Sequence, residues 1–213
     1  MDIFIYLFVA LFSVLNPIGT VPIFVGLTQG YTASERSKTS LVTSINVFII
    51  LMISFSVGQY VLSFFGITIT ALRIAGGIII ASSGFSLLNG NFSKNKGINK
   101  KVQKEVEARQ HIALTPLAMP MLAGPGSISL LIAYYQELGE SGSAITSAEI
   151  LFSCLAILAV AILIYIVLRS AHYLAKILGS SGIVAISRII GFLTIAIGIQ
   201  YIISATLSII RGI

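Results

Sequence analysis

Six stretches of this chain carry no Asp, Glu, Lys or Arg: residues 3–34, 39–72, 74–93, 110–136, 150–168 and 189–210. Each holds roughly the 20 apolar residues that an α-helix needs to cross a bilayer. Ordinary soluble domains are about a quarter charged, whereas this sequence is 9% charged and 56% hydrophobic. Hydrocarbon offers no hydrogen-bond partner to exposed backbone, so only helices and closed barrels span it. A barrel needs segments of about ten residues that alternate polar and apolar. The segment IIGFLTIAIGIQYII at 189–203 instead reads as apolar all round. The expectation is an all-α membrane protein with six transmembrane helices. The first stretch does not read as a cleavable signal, because Asp2 replaces a basic cluster and the apolar run is too long. It is expected to remain as a spanning helix.

Lys and Arg near spans are retained on the cytoplasmic side, and here they are distributed unevenly. Arg36 and Lys38 follow the first span; Lys94, Lys96, Lys100, Lys101, Lys104 and Arg109 follow the third; Arg169, Lys176 and Arg188 lie between the fifth and sixth. The opposite face has only Arg73 and Arg211, and its connection between spans four and five carries Glu137, Glu140 and Glu149. Both termini are therefore expected outside the cytoplasm. The net charge of +6 reads as a topology signal, not a nucleic-acid surface, since the basic run at 94–109 has no aromatic residues for stacking. Cys154, the single cysteine, excludes an internal disulfide.

A proline motif interrupts two of the apolar stretches. Pro17 and Pro22 lie in LNPIGTVPIF, and Pro120 and Pro125 in MPMLAGPGSI. Placing Pro17 on Pro120 gives an offset of 103 residues that also matches Pro22 to Pro125. Further on, Arg73, Ile74, Ala75 and Gly76 resemble Arg188, Ile189, Ile190 and Gly191 at an offset of 115, with the 12-residue difference assigned to an insertion in ELGESGSAITS or ILGSSGIVAIS. The two echoes in one order imply a three-helix repeat, and three spans per half invert the second copy. The expected organisation is a first repeat over 1–91, a basic cytoplasmic linker over 92–110 with a short surface helix at 100–109, and a second repeat over 111–213. Inverted repeats of this kind carry sites near the bilayer midplane.

Both breaks are expected at mid-depth. Asn is a preferred N-cap and Pro a preferred first helical residue, so Asn16 and Pro17 read as the start of a half-helix, with Gly124 and Pro125 in the same parts. Such a start offers unpaired N–H groups and the positive end of a helix dipole to an anionic group. Gly19, Gly124 and Gly126 would admit a ligand close to the backbone. Carbonyls freed before each proline would accept from an ammonium. The candidate binding residues are Asn16, Pro17, Gly19, Thr20, Pro22, Pro120, Ala123, Gly124, Pro125, Gly126 and Ser127. The competing reading is that the prolines only kink packed helices whose backbone is satisfied by neighbouring Ser and Thr.

No Asp, Glu, Lys or Arg lies deep in a span, which disfavours a strongly cationic substrate and leaves no intramembrane proton relay. Asn46 and Gln200 are the other polar side chains at depth, each a hydrogen bond between helices or a ligand contact. Arg73 and Arg188 read as interface anchors, or as gate charges if symmetry-related. His111 and His172 show no metal-binding spacing. No cofactor is expected. The spans offer no paired carboxylates, His cluster or Ser/His arrangement, so no enzymatic activity is expected either.

At these residues the sequence resembles the MarC family of bacterial inner-membrane proteins, also catalogued as UPF0056. The segments that carry the resemblance are LFSVLNPIGTVPIF at 11–24, LRIAGGIIIA at 72–81, TPLAMPMLAGPGSIS at 115–129 and RIIGFLTIAIGIQYI at 188–202. The resemblance implies a multi-pass inner-membrane protein grouped with the lysine-exporter superfamily, of which some members are described as transporters of small neutral amino acids. The expected function is therefore alternating-access transport of a small zwitterionic or neutral metabolite. A non-transporting membrane scaffold or assembly protein, or a passive channel, is the alternative. Oligomeric state is not readable from the sequence.

Overall fold

The computed structural model describes residues 2–28, 30–89, 113–140 and 145–211. The expected linker at 92–110, with its short helix, lies outside the described residues. The described chain is helical and contains no strand. In order, α1 is Asp2–Leu15, α2 Pro17–Leu27, α3 Ala33–Phe65 and α4 Ile69–Leu88. A π-helical segment, Ala113–Leu122, comes next, then α5 Pro125–Glu140, α6 Ser147–Arg169 and α7 Ala171–Arg211.

Five helices among the described residues are long and apolar enough to cross a membrane: Ile3–Val21, counted through the break at Asn16, Ala33–Gly58, Ile69–Leu88, Ser147–Arg169 and Val184–Ile210. The stretch expected as a fourth span is cut between Leu122 and Pro125, and neither piece is long enough alone. Two boundaries differ from expectation. Arg169, Lys176 and Arg188 do not sit in a loop: α7 is helical from Ala171, broken only at Gly179 (φ 60, ψ 176), and Arg188 lies inside the last span. Arg36 and Lys38 likewise belong to the first two turns of α3. At about 1.5 Å per residue, α3 is about 50 Å long, which exceeds the ~30 Å hydrocarbon core.

Local chemistry sets these ends. Thr32 caps α3 by accepting from Glu35 N at 3.3 Å, while the Glu35 carboxylate accepts from Thr32 N at 2.7 Å. Thr146 and Glu149 form the same capping box at the start of α6. Gly66 closes α3 in the left-handed region at φ 63.

The interior is partly polar and the exterior apolar, the reverse of a soluble domain. Ser13, Asn16, Thr20, Thr43, Ser44, Ser127, Ser153 and Thr194 are buried. Ile45, Ile49, Ile53, Ile78, Ile162, Ile166, Phe192, Ile199 and Ile203 face outward. So much exposed apolar surface is stable only against lipid.

The most extensive contact joins α4 to α7. It is built on glycines: a Cβ on Gly77 would lie 2.6 Å from Gly198 O, and one on Gly84 2.7 Å from Gly191 O. Close backbone approach of this kind needs small residues. The remaining large contacts are α3 with α6, α2 with α7, α1 with α6, α3 with α5, α4 with α5, and α3 with the π-helical segment. Nearly all of them run between the first four helices and the later ones.

Candidate functional site at the two helix breaks

α1 stops because Pro17 has no N–H to donate to Ser13 O, four residues earlier. Asn16 turns the chain in the left-handed region (φ 42, ψ 66), which Asn tolerates better than other residues with a Cβ. Its Oδ1 then accepts from Gly19 N at 3.1 Å, so α2 begins at Pro17 under an Asn cap. Thr20 Oγ1 donates to Asn16 O at 3.3 Å. The carbonyl orphaned by Pro17 meets a donor: the Thr194 hydroxyl, on α7, shares its one hydrogen between Ser13 O at 2.9 Å and Ile190 O at 2.8 Å.

At the second break the chain arrives as a π-helix, which Ala123 N ends by donating to Ala118 O at 2.8 Å, five residues back. Gly124 N turns onto Leu122 O at 2.9 Å, and Gly124 O receives both Ile128 N at 3.2 Å and Ser127 Oγ at 2.9 Å. Gly124 and Pro125 thus open α5 as Asn16 and Pro17 open α2. Pro22 and Pro120 play no such part. Pro22 lies inside α2 and Pro120 inside the π-helical segment, so the breaks correspond as Pro17 with Pro125, not as Pro17 with Pro120.

The fold brings the two breaks together. A Cβ on Gly126 would lie 3.1 Å from Ile80 Cγ1 and 3.5 Å from Val14 Cγ1, two residues before Asn16. Asn16 and Ser127 are each 1% exposed, and Pro17, Gly19, Thr20, Ala123 and Gly126 are also buried. Gly124 is half-buried and Pro125 exposed, so the second break reaches the outer surface of the helix packing. One buried polar atom here has no partner, Asn16 Nδ2.

Other expected residues are dispersed. Arg73 is buried on α4, and Arg188 is exposed on α7. Arg73 and Glu137 lie within electrostatic reach of the Tyr6 and Tyr201 hydroxyls. Gln200 Nε2 donates to Ser204 Oγ at 3.3 Å on its own helix. It borders a groove of about 340 Å³ between α1 and α7, lined also by Ile5, Tyr6, Val9, Ile197 and Tyr201, away from both breaks. Asn46 is half-buried on α3. His172, before the last span, packs edge-on against Phe24 with ring centroids 6.5 Å apart. Burial, and then the nearby Arg36 charge, hold its pKa below the ordinary 6.5. Sequence reasoning missed Thr194, which reaches Ser13 O across 181 residues, a distance at which no local pattern signals contact.

Apolar spanning helices around a buried polar seam define a multi-pass integral membrane protein. The chain belongs to the MarC family: the family model for "MarC family integral membrane protein" matches residues 1–210. It is 40% identical over 204 residues to a "UPF0056 membrane protein" of Buchnera aphidicola, covering 94% of this chain and 90% of that one. It is 38% identical over 209 residues to the "UPF0056 inner membrane protein MarC" of Escherichia coli, covering 95% and 93%. To the "UPF0056 membrane protein YhcE" of the same species it is 36% identical over 207 residues, covering 97% and 93%. No solved structure matches.

Proposed function

We propose that this protein is an inner-membrane transporter of small neutral amino acids or similar small metabolites, with both termini outside the cytoplasm and no enzymatic activity. It works by alternating access around the two helix breaks, between two inverted three-helix repeats. The observation that carries the reading is the approach of two half-helix starts, Asn16–Pro17 buried and Gly124–Pro125 reaching the outer surface, through Gly126 and Val14. Half-helix starts at the interface of two repeats are how many secondary transporters meet small charged groups.

Several registers support the repeat. The capping boxes at Thr32 and Thr146 are offset by 114 residues, and so are Gly77 with Gly191 and Gly84 with Gly198. Exchanging halves at this offset turns the Gly77–Gly198 contact into the Gly84–Gly191 contact, as a two-fold axis requires. The larger element contacts exchange likewise: α2 with α7 for α5 with α4, and α1 with α6 for the π-helical segment with α3. The helix starts Pro17 and Pro125 are offset by 108, which puts a six-residue insertion between Pro125 and Thr146. This register pairs Arg73 with Ser187, so the two arginines do not act as symmetry mates.

The scaffold reading has one observation in its favour, the Thr194 hydroxyl that satisfies Ser13 O and seals the first break. Flux separates the two. Purified protein in liposomes should take up labelled alanine, glycine or serine above empty liposomes, saturably. No flux of any small zwitterion would leave the scaffold. Conductance, or turnover too fast for alternating access, would point to a channel.

A further inference from the structure

We propose, building on the transporter reading, that Asn16 selects the ligand, and selects it for a hydrogen-bond acceptor: a small molecule that presents a carboxylate or carbonyl oxygen to Asn16 Nδ2. An Asn side chain has one acceptor oxygen and an amide nitrogen with two donor hydrogens. The oxygen is committed to Gly19 N at 3.1 Å, which fixes the orientation of the amide, because the reverse would set two donors against each other. Nδ2 therefore points its hydrogens elsewhere, and it has no partner although the residue is 1% exposed. It lies over the first turn of α2, where Gly19 leaves the space that a side chain would fill. The positive end of the α2 dipole favours the same kind of group there.

The acceptors beside it are engaged. Ser13 O is taken by Thr194, Asn16 O by Thr20, Ala118 O by Ala123, Leu122 O by Gly124, and Gly124 O by Ile128 and Ser127. Each of these carbonyls already receives a donor, whereas the Asn16 amide holds a donor with no partner for an oxygen to meet. At Asn16, recognition therefore falls on the acid end of the ligand.

The test uses the full chain in lipid nanodiscs, titrated with L-alanine, propionate and ethylamine, alongside labelled-alanine flux in liposomes. Propionate lacks the ammonium and ethylamine lacks the carboxylate. Alanine and propionate should bind within about tenfold of each other and ethylamine should not. Asn16→Asp keeps the oxygen that caps Gly19 N and tolerates the left-handed backbone, but replaces the donor; it should weaken binding by at least about tenfold at an unchanged melting profile. Wild-type flux competition by propionate and not by ethylamine reads the same property should that variant fail to fold. Ethylamine binding equal to propionate, or Asn16→Asp binding equal to wild type, overturns the inference and leaves Nδ2 to a trapped water, while persisting alanine flux keeps the transporter. Absence of both flux and binding for all three overturns both.

Discussion

Asn16 holds a left-handed backbone, caps a helix and leaves a donor unpaired, all within a buried seam. These roles depend on its neighbours. Gly19→Ala would drive a Cβ into the Asn16 amide. The cap should be lost at about 1 kcal/mol and alanine flux should fall; a melting curve in detergent and a flux assay read the two effects separately. Thr194→Val keeps the shape of the side chain but strips Ser13 O of its donor. A loss of about 0.5–1.5 kcal/mol is expected, read as a lower melting midpoint. If Thr194 only packs, the valine variant will melt with the wild type.

Among the helices, α7 carries the sharpest local constraint. Gly179 sits at φ 60 and ψ 176, a region open essentially to glycine alone. Gly179→Ala should destabilise the protein by about 1–3 kcal/mol, measurable by thermal unfolding. The helical stretch before this break docks through His172 onto Phe24 of α2 and near Arg36 of α3. Burial first, and Arg36 second, lower the His172 pKa in the folded protein, so the unfolded chain binds a proton there more readily. The stability this contributes is complete above the unfolded value near 6.5 and is lost as pH falls through the lower folded value. Melting midpoints should therefore drop on acidification below about pH 6. His172→Phe, which keeps a ring against Phe24, should flatten that dependence.

For the molecule as a whole, the α4–α7 crossing fixes how the two halves meet. Its glycines bring backbone against backbone, so Gly77→Leu and Gly198→Leu should each prevent the approach and lower both stability and yield of folded protein. Alanine at 77 or 198 already sets a Cβ against backbone and should lower the melting midpoint too, whereas alanine at Gly26, where a Cβ would meet nothing within 4 Å, should leave it unchanged.

Much of this architecture was legible in the chain. Five of the six charge-free stretches hold helices able to span, because hydrocarbon tolerates little else, and Asn16–Pro17 announced a helix start through cap chemistry that acts over four residues. In the repeat proposed above, TASE at 32–35 and TSAE at 146–149 share one offset, which the proline spacing does not match. Pro17 and Pro120 look alike as residues but differ in place, one opening a helix and the other lying within a π-helical segment. Local patterns cannot separate those cases, since the backbone path beyond a proline depends on which neighbour donates to the orphaned carbonyl. The sequence by itself determined a helical membrane chain with two apolar stretches interrupted at prolines. Only the tertiary structure decided that the interruptions abut, that Thr194 closes one carbonyl while Asn16 Nδ2 stays open, and that glycines 77, 84, 191 and 198 meet in pairs. Each of those is a contact between segments far apart in the chain, set by helix packing and not by any short-range preference.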